Sequence, residues 1–236
     1  MKRIKRKNVI ILIVVLLVVI PILIGFYTAN YYNLLPQKSY TGDDFGITAL
    51  YSKVDFNDNG VDDYTDLLNG ARIDAENHPK YNGSYYEGGY PPDNIGVCTD
   101  VIWRAFKNAG YNLREMVDQD ITLRPEAYPS IKQKDDNIDF RRVVNLRIFL
   151  NEHAVSLTVD TADIAEWQAG DIAIFGNDKH IGIVSDKRNK NGRPYIIHNG
   201  GQPKREEDYL KRGVVTGHYR FDASLVDASV LVKWEE

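Results

Sequence analysis

The chain has 236 residues, with 29 Lys and Arg against 33 Asp and Glu and a formal net charge of −4 at pH 7. Five of the basic residues lie within positions 2–7, so removing five from 29 leaves 24 basic against 33 acidic residues, a net charge of −9 for the remainder. This balance argues against nucleic-acid binding, which needs a basic face, and the single cysteine excludes an internal disulfide.

An apolar run follows the basic cluster. Val9 to Phe26 contains no polar or charged side chain and is long enough to span a bilayer. The basic residues predict a cytoplasmic tail at 1–8, a transmembrane signal anchor at 9–27 and an extracytoplasmic remainder. The alternative is a cleaved signal peptide, whose apolar region is usually about 7–15 residues long and whose cleavage site prefers a small residue where this chain has Tyr27.

The segment after the anchor divides into a spacer and a domain. Residues 28–46 are polar and dotted with aromatic side chains, which favours a tether. Residues 47–236 are numerous enough for one domain with its own core.

An acidic stretch near the start of this domain resembles a calcium loop. Residues 55–66, DFNDNGVDDYTD, have oxygen-bearing positions at 1, 3, 5, 9 and 12 and Gly60 at the sharp turn. The predicted ligands are Asp55, Asn57, Asn59, the Val61 carbonyl, Asp63 and Asp66. No second loop follows, so we expect a solitary structural Ca²⁺ site and no organic cofactor. The alternative is a solvated acidic turn that caps the next helix.

The periodicity of apolar residues predicts helices and then strands. Residues 64–76, 99–109 and 141–152 carry apolar side chains at helical spacing. Short β-branched or aromatic runs, separated by turn residues, predict strands at 171–176, 180–186, 194–199, 214–221 and 229–234. This order indicates an α+β domain with helices packed on a small antiparallel sheet.

Cys98 lies where the second predicted helix begins. Unpaired N–H groups and the helix dipole stabilise a thiolate at that position. His180 opens one predicted strand and His198 ends the next, so both imidazoles can lie on one side of the sheet and supply a base and its orienting group. His218 is a reserve candidate. The alternative is a small buried residue at a helix start, because free cysteines are among the most buried residue types.

The first of three sequence blocks supports the catalytic interpretation. In YYEGGYPPDNIGVCTDVIWRAFKNAG (85–110), Tyr85 precedes the Gly88-Gly89 pair, and Cys98 follows at the helix start. This block resembles the NlpC-type cysteine peptidases, papain-like enzymes that mostly cut cell-wall peptides.

The other two blocks resemble the same family in the same order. WQAGDIAIFGNDKHIGIVSD (167–186) places His180 as the family's histidine, and YIIHNG (195–200) places His198 as the residue that orients it. The resemblance implies a papain-like NlpC-type fold and a Cys-His-His catalytic triad.

The chain also departs from the family's pattern. Relatives have Asp-Cys-Ser-Gly, whose acid and serine bind the substrate's amino end, whereas this chain has Val97-Cys98-Thr99-Asp100. The resemblance assigns Tyr85 and Asp100 to substrate binding. The long insertion at 111–166 resembles a group of exported bacterial proteins of unknown function in the same superfamily.

The resemblance implies a membrane-anchored extracytoplasmic cysteine hydrolase that cleaves an amide bond in the peptide of peptidoglycan. Cys98 would attack the carbonyl, His180 would take and return the proton, and the Cys98 N–H would contribute to an oxyanion hole. Two alternatives stay open: a calcium-stabilised cell-surface binding module with an inactive site, and an amidase or acyltransferase that acts on a non-wall substrate.

Overall fold

The computed structural model describes residues 6–235, which form two compact units, residues 6–37 and residues 38–235. Most of the predicted basic tail at 1–8 lies outside the described residues. The first unit is mainly helical: α1 (Arg6–Val14) continues through a π-helical turn (Val15–Val19) into α2 (Ile20–Tyr31).

These three segments make one helix of 26 residues, Arg6–Tyr31, with a mean hydropathy of 3.6 in its most apolar window. At a rise of 1.5 Å per residue the helix is about 39 Å long, which exceeds the hydrocarbon thickness of about 30 Å. None of its side chains is buried. The helix therefore has the length and composition of a single-pass membrane anchor or a signal sequence. It ends four residues beyond the predicted anchor.

The second unit contains four helices of more than two turns. They are α3 (Asp63–Asn77), α4 (Cys98–Asn108), α5 (Leu113–Leu123) and α6 (Val143–His153). The predicted helices at 64–76, 99–109 and 141–152 are confirmed as α3, α4 and α6. Helix α5 was not predicted, although Leu113, Met116, Val117 and Ile121 are buried at helical spacing.

The main sheet has six antiparallel strands in the order β3-β8-β4-β5-β6-β7. Its strands are β3 (Val155–Ser156), β4 (Ile172–Phe175), β5 (His180–Arg188), β6 (Pro194–Ile197), β7 (Glu206–Glu207) and β8 (Val215–Arg220). A separate parallel pair joins β1 (Lys80–Tyr81) to β2 (Ile95–Gly96). The prediction of an α+β domain with a small antiparallel sheet is confirmed.

The predicted strand at 229–234 is wrong. Apart from one isolated bridge between Lys233 and Tyr111, this segment has no strand pairing in the described part of the chain. The Trp234 N–H donates to the Gly110 carbonyl at 2.7 Å, so the segment pairs with the loop after α4 instead of with a strand. The β-branched residues of 229–234 indicate an extended conformation, but they do not indicate which strand, if any, the segment pairs with.

The second unit begins inside the predicted tether at 28–46. Tyr40 forms an isolated antiparallel bridge with Arg188 of β5, and Ile47 is buried. Residues from Lys38 onward therefore pack with the domain.

Helix α4 packs on the sheet through a single large core. That core includes Cys98 and Phe106 from α4, Ile181 and Ile183 from β5, and Ile197 from β6. The first residue of α4 is therefore held against the first residues of β5, which positions the site described below.

Candidate active site

Cys98 is the first residue of α4 and is 8% exposed. The preceding Val97 is extended, and its N–H donates to the Asp100 carboxylate at 2.7 Å, which begins the helix sharply. Burial raises the pKa of the Cys98 thiol to about 11, although the nearby backbone N–H groups of Ile181 and Thr99 act in the opposite direction. The Cys98 side chain is therefore a protonated thiol at neutral pH.

His180 and His198 contact each other directly. His180 Nε2 lies 2.8 Å from His198 Nδ1, and the two ring planes are perpendicular. Gly182 allows this approach, because a Cβ there would lie 2.7 Å from the Ile197 carbonyl oxygen and 3.0 Å from the His198 Cβ. The two predicted histidines thus lie on one side of the sheet, at the ends of neighbouring strands.

Both imidazoles are held neutral. Burial, with a smaller contribution from the neighbouring His198, lowers the pKa of His180 to about 3. Burial also lowers the pKa of His198, although the Glu207 carboxylate opposes this shift. Between these two pKa values, Cys98 is a neutral thiol and His180 a neutral imidazole.

Cys98 and the histidines are connected through Ile181. Ile181 directly follows His180 and belongs to the same buried core as Cys98, and its backbone N–H favours the thiolate of Cys98. Among the described hydrogen bonds, none joins the sulfur to either imidazole, and none uses His180 Nδ1. The arrangement therefore places Cys98 against the strand that begins at His180 and leaves His180 Nδ1 without a hydrogen-bond partner among the described contacts.

The sequence did not reveal the residues behind the histidine pair. Glu207 Oε1 lies 3.1 Å from His198 Nε2, and Arg212 pairs with the same carboxylate. The Tyr209 ring lies against both imidazoles, with its centroid 5.5 Å from that of His180 and 4.3 Å from that of His198. Strand alternation locates the two histidines, but no local pattern indicates that β7 and the turn after it return to them.

Tyr85, predicted to bind substrate, is exposed on the loop before α4. Its hydroxyl donates to Asp135 at 3.4 Å and accepts from Asn137 at 3.0 Å, and both partners belong to the insertion at 111–166. The insertion therefore contacts the loop that leads to Cys98. A role for Tyr85 in substrate binding stays a prediction.

Asp100, the other predicted substrate-binding residue, lies in the core. Its carboxylate accepts hydrogen bonds from the Arg141 guanidinium at 2.8 and 3.0 Å, from Trp103 Nε1 at 2.8 Å and from the Val97 N–H. Its side chain is fully buried. These contacts give Asp100 a role in holding the start of α4, and substrate binding by Asp100 stays a prediction.

The predicted calcium loop closes on itself by hydrogen bonds. The Asp55 carboxylate accepts from the N–H groups of Asn59 at 3.0 Å and Gly60 at 2.7 Å, as expected for a ligand at position 1 around which the loop wraps. Asn57 and Asn59 donate their side-chain amides to Asp66 at 3.1 and 2.9 Å. Three predicted side-chain ligands and Asp66 therefore lie around the interior of the loop.

Asp63 differs from the other predicted ligands. Its carboxylate accepts from the Phe56 N–H at 2.9 Å and from the Tyr111 hydroxyl at 2.6 Å, so both oxygens have partners in the core. Within residues 6–235, no three His, Cys, Asp or Glu side chains converge in a way that suits a metal ion. The calcium site at Asp55, Asn57, Asn59, Val61, Asp63 and Asp66 stays a prediction.

The fold and site define a mixed α+β domain that carries a buried cysteine at the start of a helix and a pair of contacting histidines on the sheet against which that helix packs, in a chain with one apolar N-terminal helix. Residues 68–221 match the family described as a domain of unknown function, DUF1287, and the chain belongs to that family. The matched stretch includes Cys98, His180, His198 and Glu207, whereas the predicted calcium loop lies outside it.

A bacterial relative covers a similar share of the chain. The uncharacterized protein YijF of Escherichia coli (strain K12) is 37% identical over 165 residues, which are 66% of this chain and 80% of the relative. No solved structure matches this chain.

Proposed function

We propose that this chain is a membrane-anchored cysteine hydrolase that cleaves amide bonds of cell-wall peptide outside the cytoplasm. The observation that carries the proposal is the 2.8 Å contact between His180 and His198 on the sheet against which α4 packs, with the buried Cys98 as the first residue of that helix. A nucleophile, a base and a group that orients the base are the parts that acyl transfer by cysteine needs.

The reaction begins from the neutral pair. Cys98 Sγ attacks the amide carbonyl carbon while His180 accepts the thiol proton, because the high pKa of Cys98 and the low pKa of His180 disfavour an ion pair formed in advance. The imidazolium returns the proton to the leaving amine. Water then hydrolyses the thioester and releases the carboxylic acid and the thiol.

Two features support a substrate in the cell wall. The blocks at 85–110, 167–186 and 195–200 resemble the NlpC-type peptidases, and we extend their papain-like fold and their substrate class to this chain on that basis. The apolar helix Arg6–Tyr31, preceded by basic residues, supports an anchor with a cytoplasmic N-terminus and the remainder outside.

A second candidate function is a cell-surface binding module in which Cys98 is structural. The burial of Cys98 and its raised pKa favour this candidate, because structural cysteines are buried and inert whereas reactive ones have low pKa values. The same triad is also compatible with amide hydrolysis or acyl transfer on a non-wall substrate.

The deciding experiment incubates purified peptidoglycan with the full chain in detergent micelles and identifies released peptides by mass spectrometry. We expect fragments with new amino and carboxyl ends from the wild type and none from Cys98→Ala or His180→Gln. His78→Asn is the matched control, because His78 is an exposed helix-capping residue with φ of +53°, a conformation that Asn tolerates. Identical products from wild type and Cys98→Ala would overturn the wall-hydrolase proposal.

A further inference from the structure

We infer that Glu207 and Arg212 are positioning residues that fix the protons of the histidine pair, so that Nδ1 of His180 is the atom that accepts the Cys98 proton. This inference rests on the proposed function. Glu207 and Arg212 would act on the reaction only through the histidines, without contacting the reacting atoms themselves.

The contact with Glu207 determines which nitrogen of His198 carries the proton. An ionised carboxylate only accepts hydrogen bonds, so the contact of 3.1 Å between Glu207 Oε1 and His198 Nε2 requires a proton on Nε2. A neutral imidazole carries one proton, which leaves His198 Nδ1 as an acceptor. Burial favours this neutral form of His198.

The same rule fixes the second ring. Because His198 Nδ1 accepts, His180 Nε2 must donate across the distance of 2.8 Å that separates them. His180 then has its single proton on Nε2, and Nδ1 keeps its lone pair. The reverse order would place a proton on His180 Nδ1 and remove the base.

Arg212 explains why the carboxylate does not simply charge His198. A lone buried carboxylate would stabilise a second proton on His198, which would reverse the order in the pair. Arg212 donates to Glu207 Oε2 at 2.9 Å and pairs also with Oε1, with both side chains almost fully enclosed. The guanidinium compensates the negative charge of Glu207.

Other groups that face His198 act in the same direction. The Gln202 amide nitrogen, which only donates, lies 3.2 Å from His198 Nδ1 and 3.3 Å from Nε2, and its contact with Nδ1 also favours that nitrogen as an acceptor. Arg205 adds positive charge near the ring, and His180 is neutral. The Tyr209 ring covers both imidazoles and excludes water from one side. The Glu207 carboxylate raises the pKa of His198 against the effect of burial, and Arg212 pairs with that carboxylate.

The test is a ¹⁵N NMR measurement on the full chain in detergent micelles with labelled histidine, which reports the protonated nitrogen of each ring. In the wild type at pH 7 we expect protons on Nε2 of His198 and on Nε2 of His180. Glu207→Leu should move the His198 proton to Nδ1, whereas Glu207→Gln, whose amide oxygen still accepts, should preserve the order. Arg212→Met should add the second proton to His198 at a higher pH than in the wild type.

Glu206→Gln is the matched control, because Glu206 is adjacent in β7 but binds Arg72, Ser185 and Lys187 instead of the histidine pair. This variant should leave both tautomers unchanged. Peptide release at pH 7 should fall on the order of tenfold or more in Glu207→Leu and much less in Glu207→Gln.

The outcomes separate the two proposals. A proton on Nδ1 of His198 in the wild type, or unchanged tautomers in a folded Glu207→Leu, would overturn the inference whatever the activity. An absence of peptide release from the wild type, with the tautomers as expected, would overturn the proposed hydrolase.

Discussion

Arg141 and Asp100 form an ion pair that is enclosed in the core, with side chains 1% and 0% exposed. Arg141 belongs to the insertion and Asp100 to the first turn of α4. The Thr99 hydroxyl also donates to the Arg141 carbonyl at 3.0 Å, and Arg141 Nη1 donates to the Ser84 carbonyl at 3.1 Å. The pair therefore joins the insertion, the loop at Tyr85 and the start of α4.

Removing one partner of this pair should be costly. Arg141→Met leaves the Asp100 charge buried without compensation, so we expect the free energy of unfolding to fall by about 3–5 kcal/mol. Urea unfolding of the full chain in micelles measures the change. Arg142→Met is the matched control, because Arg142 is the neighbouring residue but is 54% exposed and lies 3.8 Å from Asp139. Equal losses in the two variants would show that the buried pair has no special role.

Local patterns predicted much of the fold and part of the site. Helical spacing located α3, α4 and α6, and strand alternation placed His180 and His198 on one side of the sheet. Arg141, Glu207 and Arg212 were not found, because a charged residue gives no local signal of a partner 41 positions away, as Arg141 is from Asp100. The segment at 229–234 was misassigned for a related reason: a strand needs a partner that its own residues do not specify.

The state of Cys98 gives a prediction about pH. With a pKa of about 11, the thiol should be alkylated by iodoacetamide in the folded chain at a rate that rises about tenfold per pH unit between pH 7 and 10. A pH series with mass spectrometric detection measures the rate. A plateau below pH 7 would indicate a preformed thiolate–imidazolium pair and would contradict the neutral ground state. Labelling only after unfolding at every pH would favour the binding module.

The histidine pair should make the domain sensitive to acid. The pKa of His180 is about 3 in the folded chain and about 6.5 in an unfolded chain, so the unfolded state binds more protons between these values. Stability from this residue is therefore present above pH 6.5 and is lost as pH falls toward 3, at up to about 1.4 kcal/mol per pH unit.

Most carboxylates are already ionised between pH 5 and 7, so the histidines dominate the dependence of the unfolding free energy on pH in this range. We expect His180→Gln to flatten the dependence of the unfolding free energy on pH there, and His78→Asn to leave it unchanged. Urea unfolding at several pH values measures both slopes. A slope in His180→Gln equal to that of the wild type would show that His180 is not held neutral by the fold.

We expect Ca²⁺ to bind the predicted calcium loop at 55–66 and to raise the thermal stability of the chain. Burial raises the pKa of Asp66, and the nearby charge of Asp55 contributes to the same shift, so a cation inside the loop would relieve their repulsion. Isolated extracellular sites bind with dissociation constants of about 10⁻⁴ to 10⁻³ M, so 10 mM Ca²⁺ would add about 1.4–2.7 kcal/mol. For a domain of this size the melting temperature should rise by about 3–10 °C.

Asp55→Asn should abolish the rise, because position 1 loses its charge while its side chain keeps its shape. Asp58→Asn is the matched control: Asp58 belongs to the same loop, is not a predicted ligand, and has φ of +57°, which Asn adopts readily. Calorimetry of the full chain with 10 mM Ca²⁺, and with Mg²⁺ in a parallel sample, measures the shift. An unchanged melting temperature in the wild type would reject the site, and the loop would then be an acidic turn whose Asp62 side chain caps α3 by accepting from the N–H groups of Tyr64 and Thr65.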